Sequence, residues 1–529
     1  MTEVSNILKR LPVGIQTFEK IIEGGYLYVD KTGLMYDMVH LSKYIFLSRP
    51  RRFGKSLLTS TLEAYFQGRK ELFSGLAAEQ KEKEWTIYPV IKLDMSRAAS
   101  SAQETLTGNL MFLLSELEKS FGIPQFNDAP SLGARFQRLI SDVREKNGRD
   151  VVVIVDEYDA PLLDVLGTEA ESRVRTVLKE FYSPLKSMED RLEFVFITGI
   201  TKFSQLSIFS TLNNLTNISL LPQYSALCGF TEEELFTLLG DHIKAFAADN
   251  DITEEEGRRL LKQRYDGYHF SGKSPDIYNP FSILNVLATG MLQDYWFSSG
   301  TPTFLIGQMQ RFGTDILSLD GGVQAPATAF DQPTEAMDSA LPLLYQSGYL
   351  TIRSYDRASD TYTLGIPNAE VRKGLLSNLL PLVTGRTSNE SIIVQSRFIS
   401  MWYKGQYDEA LTEIKSFLAG IPYPEFGGML RKESYYETLM YVLFASAADT
   451  VAIHTQVKIA RGRVDMVLTL PDTVTAFEFK VDGTAEKAIR QIETKDYLLP
   501  YAAGGRKLIK CGVNFSGESR TIEDWKIEY

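Results

Sequence analysis

Tyr44-Ile-Phe-Leu-Ser-Arg-Pro-Arg-Arg-Phe-Gly-Lys-Ser-Leu-Leu58 is the stretch on which the reading of this chain turns. A short apolar strand runs into a tight loop, and a helix opens at Gly54-Lys55-Ser56. This is the layout of a phosphate-binding loop. Its chemistry needs backbone N–H groups around a β-phosphate, a Lys for the β/γ charge and a hydroxyl for Mg²⁺. Arg52, Phe53, Gly54, Lys55, Ser56 and Leu57 are the candidate phosphate-holding residues, with Ser56 also on the metal. The usual pattern is G-x-x-x-x-G-K-[ST], and here Arg49 stands where the first Gly belongs. Gly-Lys-Ser by itself is a weak signal, and a helix N-terminus with a surface Lys remains the alternative.

About a hundred residues on, Val151-Val-Val-Ile-Val155 is a β-branched run suited to a strand buried on both faces. It ends in Asp156-Glu157-Tyr158-Asp159. An acidic pair at the carboxyl end of a buried strand, downstream of a phosphate loop, is the Walker B arrangement. Asp156 is the candidate Mg²⁺ holder and Glu157 the candidate that polarises the attacking water. The alternative is a solvated turn after a strand.

Leu11-Pro-Val-Gly-Ile-Gln-Thr-Phe-Glu19, Tyr26-Leu-Tyr-Val-Asp-Lys-Thr32, Arg49-Pro-Arg-Arg-Phe-Gly-Lys-Ser56 and Ile197-Thr-Gly-Ile-Thr-Lys-Phe-Ser204 closely resemble the bacterial AAA-ATPase-like family. The resemblance continues through Asn213-Asn214, Tyr265-Asp-Gly-Tyr268 and Tyr278-Asn-Pro-Phe281, and resumes near the C-terminus. It implies that Arg-Pro-Arg-Arg-Phe-Gly-Lys-Ser is itself the phosphate loop, so the missing first Gly is a family feature. It also implies ATP as ligand.

The chain has 529 residues, 44% of them hydrophobic and 23% charged, with a net charge of −11. Its length implies roughly two to four domains. Only Cys228 and Cys511 are present, which excludes a disulfide framework or a cysteine zinc cluster, and four scattered His make a His-rich metal site a poor fit. No apolar run is long enough to cross a bilayer, and Met1-Thr-Glu-Val-Ser-Asn6 lacks a signal layout, so a cytoplasmic location is expected. Net acidity argues against general nucleic-acid stickiness but leaves room for a local basic groove.

Strands are expected at Tyr26–Val29, Tyr88–Asp94, Val151–Val155 and Leu192–Gly199, and helices over Leu57–Phe66, 101–120, Leu132–Lys146 and Glu171–Phe181. The alternation predicts an α/β fold: a P-loop NTPase parallel sheet with nucleotide at the carboxyl ends of its strands. Thr198, ending the strand expected beside Walker B, is the candidate γ-phosphate sensor, although strand propensity explains a Thr there as well. Arg173, Arg175 and Arg191 are open choices for an arginine finger. Domain 1–230 is followed by a helical lid over 231–320, opened by a Thr231/Glu234 capping box. The region 321–420 reads as a helical connecting segment, either a small domain or a winged helix, with a helix at Leu341–Ser347. Gly420-Ile-Pro-Tyr-Pro424 is the linker signal before 425–529.

Glu433–Ala445 reads as a helix, and Val451–Ile459, Arg461–Leu468 and Ala476–Val481 as strands. Glu478 and Lys480 share one face of an apolar strand, which is costly unless they pair or bind a metal. Asp465 lies on the preceding strand. Asp, then Glu-x-Lys across a hairpin, resembles the PD-(D/E)xK nuclease core, so the C-terminal part is expected to be an α/β nuclease-like domain. The resemblance implies that Asp465 and Glu478 hold Mg²⁺ while Lys480 orients the water and stabilises the phosphorane. It further implies a carboxylate from the preceding helix, Glu437 or Glu433, accessory positions at Gln491 and Lys495, and a turn at Gly462. Tyr497 and Tyr501 could stack on bases or pack internally.

Two functions follow. One is an ATP-dependent, Mg²⁺-dependent nuclease acting on nucleic acid, DNA first, with no membrane partner and with homo-oligomerisation left open. In it, nucleotide state moves the lid and controls access to the C-terminal site. The other is an ATP-dependent switch or assembly protein whose nuclease-like domain binds without cutting.

Overall fold

The computed structural model describes residues 8–99, 103–202, 214–299, 303–331, 337–384, 388–420, 433–445, 452–459 and 461–529. Phe203, Ser204 and Asn213 of the motifs above, and positions 421–424 of the expected linker, lie outside them. The chain divides into two compact units, Met1–Thr314 with Gln324–Asn368, and Asp315–Val323 with Ala369–Tyr529.

The first unit is built on five parallel strands: β1 (Tyr44–Ser48), β2 (Val90–Asp94), β3 (Val151–Asp156), β4 (Leu192–Gly199) and β5 (Thr216–Asn217). Their order is β2-β3-β4-β1-β5, so β4 lies between the phosphate-loop strand and the Walker B strand. Every residue of β3 is buried, as its β-branched run requires. Helices Lys55–Phe66, Gln103–Ser120, Leu132–Asn147 and Glu171–Tyr182 surround the sheet. Phe136 stacks on Phe181 at 5.2 Å in the apolar core shared with Val153 and Val155. The Leu132 helix shows how local chemistry sets its ends. Ser131 accepts the Ala134 N–H at its start, and Gly148 takes the left-handed conformation (φ 64°) at its stop.

Tyr26–Val29 is not a strand, which corrects the sequence expectation. Leu27 and Val29 instead pack among Phe230, Leu235, Tyr265 and Ile283 of the helical region that follows the sheet. That region opens with the expected capping box, Thr231 accepting from the Glu234 N–H and Glu234 from the Thr231 N–H. Because its core includes residues 27 and 29, the lid belongs to the same compact unit as the sheet. Helix Leu341–Gln346 and the antiparallel hairpin Thr351–Asp356/Thr361–Gly365 follow; the hairpin tip carries Asp356, Arg357 and Asp360, a mixed charge.

The second unit has a five-stranded mixed sheet in the order Ala452–Ile459, Gly462–Thr469, Thr473–Val481, Lys507–Phe515, Ile522–Glu528. Neighbours are antiparallel except Thr473–Val481 with Lys507–Phe515, which are parallel and joined through helix Ala485–Thr494. Helices Ala369–Thr384, Ser388–Tyr403 and Tyr407–Ala419 belong to this unit. Assigning them to a separate 321–420 region is therefore corrected. The cause is aromatic packing: Trp402 lies 5.2 Å from Phe477 of the sheet, and Phe398 lies 4.6 Å from Phe444.

Candidate functional site

The phosphate loop is shaped by two left-handed residues, Arg52 (φ 69°) and Gly54 (φ 93°), the second serving as N-cap of the Lys55–Phe66 helix. A non-glycine residue in this conformation stores on the order of 1–3 kcal/mol, and such strain concentrates where backbone must be aimed. Lys55 is buried and its ammonium donates to the carbonyls of Arg49 and Pro50, both at 3.0 Å. Burial pulls its pKa down, while Asp156 and then Glu157 oppose this. Arg49, in the place of the usual first Gly, is a buried latch. Its guanidinium donates to the carbonyls of Ser48, Ser219 and Tyr224 and lies 4.2 Å from the Phe270 ring centre. Phe53 is buried against Tyr268 (4.8 Å) and Phe270 (5.3 Å), and Arg52 lies over Phe281 (4.4 Å). The Tyr265–Tyr268 and Tyr278–Phe281 motifs thus brace the loop from one side.

A cavity of about 430 Å³ opens on this loop. Gly54, Lys55, Ser56 and Leu57 line one part of it, with Glu157 close by, and Ile15, Leu27, Val29 and Phe230 line an apolar part. Charged donors beside an apolar slot suit a nucleotide's phosphates and base. Lys31 also lines the cavity, and its ammonium donates to both Glu234 oxygens at 2.5 and 2.6 Å.

Asp156 ends β3, where Oδ1 accepts the Glu157 N–H (2.9 Å) and Oδ2 accepts the Thr59 hydroxyl (3.2 Å). Thr59 sits one turn after Ser56 and also hydrogen-bonds its carbonyl at 2.9 Å, so the helix and the acidic strand end are tied together. The sequence gives no separate signal for that role. Glu157 is left-handed (φ 50°), which turns its side chain out of the strand's alternation and onto the cavity wall. Burial raises its pKa, and Lys55 partly offsets this. Asp159 is buried and accepts from the N–H groups of Ile200 and Thr201 and from the Thr201 hydroxyl, which fixes the end of β4.

Thr198 requires a correction. It is fully buried, and its hydroxyl donates to the Leu47 carbonyl of β1 at 2.7 Å. The donor is spent inside the sheet and does not face the cavity. Of the three Arg considered, Arg173 is exposed, Arg175 pairs with Glu171, and Arg191 donates to the Ser141 hydroxyl at 3.0 Å.

In the second unit, Met466 pairs with Phe477 in antiparallel register, which sets Asp465 and Glu478 next to one another on adjacent strands. Asp465 Oδ2 accepts the Phe479 N–H at 2.9 Å. Lys480 donates to Glu478 Oε1 and to the Phe479 carbonyl, both at 2.9 Å, and stands 4.0 Å from Glu433. Glu478 is 1% exposed, so the pair with Lys480 is not a surface ion pair. Its second oxygen, Oε2, is buried with no partner among the described residues. Glu437 is buried on helix Glu433–Ala445 and accepts a hydrogen bond from the Gln456 amide. Burial, reinforced by Asp465, pushes Glu478 up to about 7. Burial also pushes Glu437 to about 7, with Gln456 opposing and Asp465 reinforcing. Asp465 is raised by burial as well, against the pull of the Phe479 N–H.

An unpartnered buried carboxylate oxygen beside a second raised carboxylate fits a hard divalent cation, whose ligands are oxygens. Asp465 and Glu478 are the residues that could hold it, whereas Glu437, the expected helix carboxylate, is bonded to Gln456. Among the described residues, no three His, Cys, Asp or Glu side chains stand close enough to hold an ion together. Gln491 and Lys495 are not drawn to the carboxylates by hydrogen bonds. The Gln491 amide donates to the Tyr497 hydroxyl at 3.2 Å, and the Lys495 stem runs beside Gly462. Tyr497 is buried among Ile489 and Ile492 and donates to the Arg463 carbonyl (2.7 Å), so it packs rather than stacks on bases. Tyr501 is half-buried against the same cluster.

A model of a predicted AAA-ATPase family matches residues 12–209, and one of the PD-(D/E)XK nuclease superfamily matches residues 431–525. The chain is 34% identical over 534 residues to the "Uncharacterized protein in vnfD 5'region" of Azotobacter chroococcum mcd 1, covering 98% of this chain and 99% of that protein. The chain belongs to the predicted AAA-ATPase family, in the form that carries a C-terminal PD-(D/E)XK nuclease-superfamily domain. Among solved structures, the Aeropyrum pernix ORC2 protein (ADPNP–ADP complexes) aligns over 64% of this chain and 88% of its own, at 15% identity and a TM-score of 0.25, too slight a likeness to carry functional meaning. No described helix is long and apolar enough to cross a membrane.

Proposed function

We propose that this bacterial protein is a cytoplasmic ATPase that cleaves DNA at its C-terminal domain in a Mg²⁺-dependent reaction. The observation that carries the nuclease assignment is the buried, unpartnered Glu478 oxygen beside Asp465, with Lys480 bonded to the same carboxylate. A buried Glu478 with half-buried Asp465 and Lys480 against it is costly to the fold on its own. That cost is understandable if the site exists to hold a cation and a phosphodiester.

In the first unit, the Gly54–Leu57 amides and Lys55 hold the phosphates, so Lys55 exchanges its present carbonyl partners for phosphate oxygens. Ser56 and Asp156 would hold the Mg²⁺ that accompanies ATP. Glu157, lifted by burial toward a useful basicity, orients the attacking water and accepts its proton. In the second unit, Asp465 and Glu478 would hold the metal. When bound, Mg²⁺ supplies Lewis-acid charge for water activation and for the phosphorane. Lys480, its ammonium already in the site, positions the water and balances developing negative charge.

The test is cleavage of DNA and RNA by the full-length protein with Mg²⁺ or Mn²⁺, with and without ATP. DNA cleavage that requires the ion is expected. Full ATP turnover with no cleavage of either nucleic acid under both ions would give the switch function instead.

A further inference from the structure

The cavity of about 430 Å³ on the phosphate loop has a second end, away from the loop amides, built partly by the segment before the first helix. The Phe18 N–H donates to the Ser60 hydroxyl at 3.0 Å, which lays this segment beside helix Lys55–Phe66 one turn beyond Ser56. A turn precedes it, closed by the Ile15 N–H on the Pro12 carbonyl at 3.2 Å, with Gly14 left-handed (φ 74°) as its third residue. Ile15 and Gln16 follow directly on the cavity wall, Ile15 in the apolar part with Leu27, Val29 and Phe230. A phosphate chain held at Gly54–Leu57 therefore carries its nucleoside along the helix toward Ile15 and Gln16. The Gln16 side chain is exposed, and its amide makes no hydrogen bond among the described residues.

We propose that Gln16 is a specificity-determining residue that reads the edge of the nucleobase and selects adenine. The inference rests on the assignment of this cavity to a nucleotide. A side-chain amide offers one acceptor and one pair of donors in a single plane. Adenine offers the matching pair, its N6 amine as donor beside a ring nitrogen as acceptor. Guanine instead presents adjacent donors at N1 and N2, which call for a carboxylate. Among the described residues the one acidic side chain on the cavity wall is Glu157, and it stands with Lys55 at the phosphate end. Gln16 is likewise the one side-chain amide on that wall among the described residues. The hydroxyls near it are already engaged: Thr61 donates to the Leu57 carbonyl at 2.8 Å, and Tyr28 is hydrogen-bonded to Thr61. Residue type does not reveal this role, because an exposed Gln is ordinary. It emerges from the turn, the helix contact and the composition of the wall together.

The experiment is calorimetric binding of non-hydrolysable ATP and GTP analogues to the full-length protein, with melting temperature measured in parallel. The variants are Gln16→Ala, Gln16→Glu and Lys55→Ala. Gln16 is exposed and without a partner, so both of its variants should melt as wild type does. Wild type should bind the ATP analogue more tightly, and Gln16→Ala should lose about 5- to 150-fold of that affinity, the range for one bidentate base contact, with little change for GTP. Gln16→Glu can only accept, so it should weaken ATP and strengthen GTP. Lys55→Ala should weaken both alike. Unchanged ATP affinity in Gln16→Ala, or an equal loss for both nucleotides, with Lys55→Ala still weakened, would overturn the role of Gln16 and leave the phosphate loop standing. Wild-type protein that binds the two analogues equally would overturn adenine selection. Wild-type protein that binds neither would overturn the nucleotide assignment as well.

Discussion

The two candidate sites treat buried charge in opposite ways. At the phosphate loop Lys55, Asp156 and Asp159 are hydrogen-bonded, Lys55 on two carbonyls, Asp156 on Thr59 and a backbone N–H, Asp159 on three donors, while Arg49 leaves its Nε buried and unpartnered among the described residues. In the C-terminal domain, Glu478 keeps one oxygen unpartnered among the described residues and, like Glu437, is pushed up to about 7 by burial. The first site is organised before its ligand arrives and needs only to exchange Lys55 partners. The second carries a local deficit that a divalent cation would remove. The difference teaches where the free energy of ligand binding goes: into affinity at the first site, and partly into relieving repulsion at the second.

The largest effect that sharpens this contrast is on ATP turnover. Glu157→Gln keeps the shape of a side chain on the cavity wall and removes its basicity. Nucleotide affinity should hold while hydrolysis slows by about 10²- to 10⁴-fold, the usual contribution of a positioned general base. Single-turnover hydrolysis at the wild-type rate would take that role away from Glu157.

Next in size is Lys55→Ala, which removes the ammonium from a preformed site. Nucleotide binding should weaken by at least about 30-fold, corresponding to the ~2 kcal/mol lower bound for truncating a buried charged partner. Calorimetry with a non-hydrolysable ATP analogue checks this, and unchanged affinity would show that the loop does not hold phosphates.

The smallest effect is on stability. Glu437 and Glu478 sit at about 7 in the fold against an ordinary 4.5. Below about pH 4.5 both are protonated whether folded or not, and their preference for the folded state is fully expressed. Between about pH 4.5 and 7 the unfolded chain ionises them while the folded protein, held back by burial and Asp465, does not, so this stabilisation falls away across that interval and is gone once pH has risen through about 7. Metal-free protein should therefore melt lower at pH 8 than at pH 5, and excess Mn²⁺ should remove much of that slope. Asp266 in the first unit is also raised to about 7 by burial, so the readout is the difference between the melts with and without ion. Identical slopes in the two would mean that the C-terminal carboxylates are not the source.

The sequence made most of this architecture legible because its strongest signals are local. A buried parallel strand such as Val151–Asp156 must be β-branched throughout, and Gly54-Lys55-Ser56 needs only neighbouring residues to shape a loop. Glu478 and Lys480 stood out because strand alternation puts them on one face, and Asp465 was singled out by the resemblance to the PD-(D/E)xK core. What was hidden depended on distant partners. Leu27 and Val29 look like a strand, but their burial is satisfied by helices that begin near residue 230. Trp402 draws the helices before it into the C-terminal unit through Phe477, and no composition shift marks that. Thr198 was misjudged because a strand-end hydroxyl can face a ligand or its neighbour strand, and Leu47 O takes it here.

The central claim, that Asp465 belongs to a cleavage site chemically separate from the ATP site, is tested most directly by one variant measured twice. Full-length Asp465→Ala is assayed for Mg²⁺-dependent DNA cleavage and for ATP turnover beside wild type. The account predicts that cleavage is abolished while ATP turnover stays close to the wild-type rate. Cleavage that survives the substitution at the wild-type rate would contradict it.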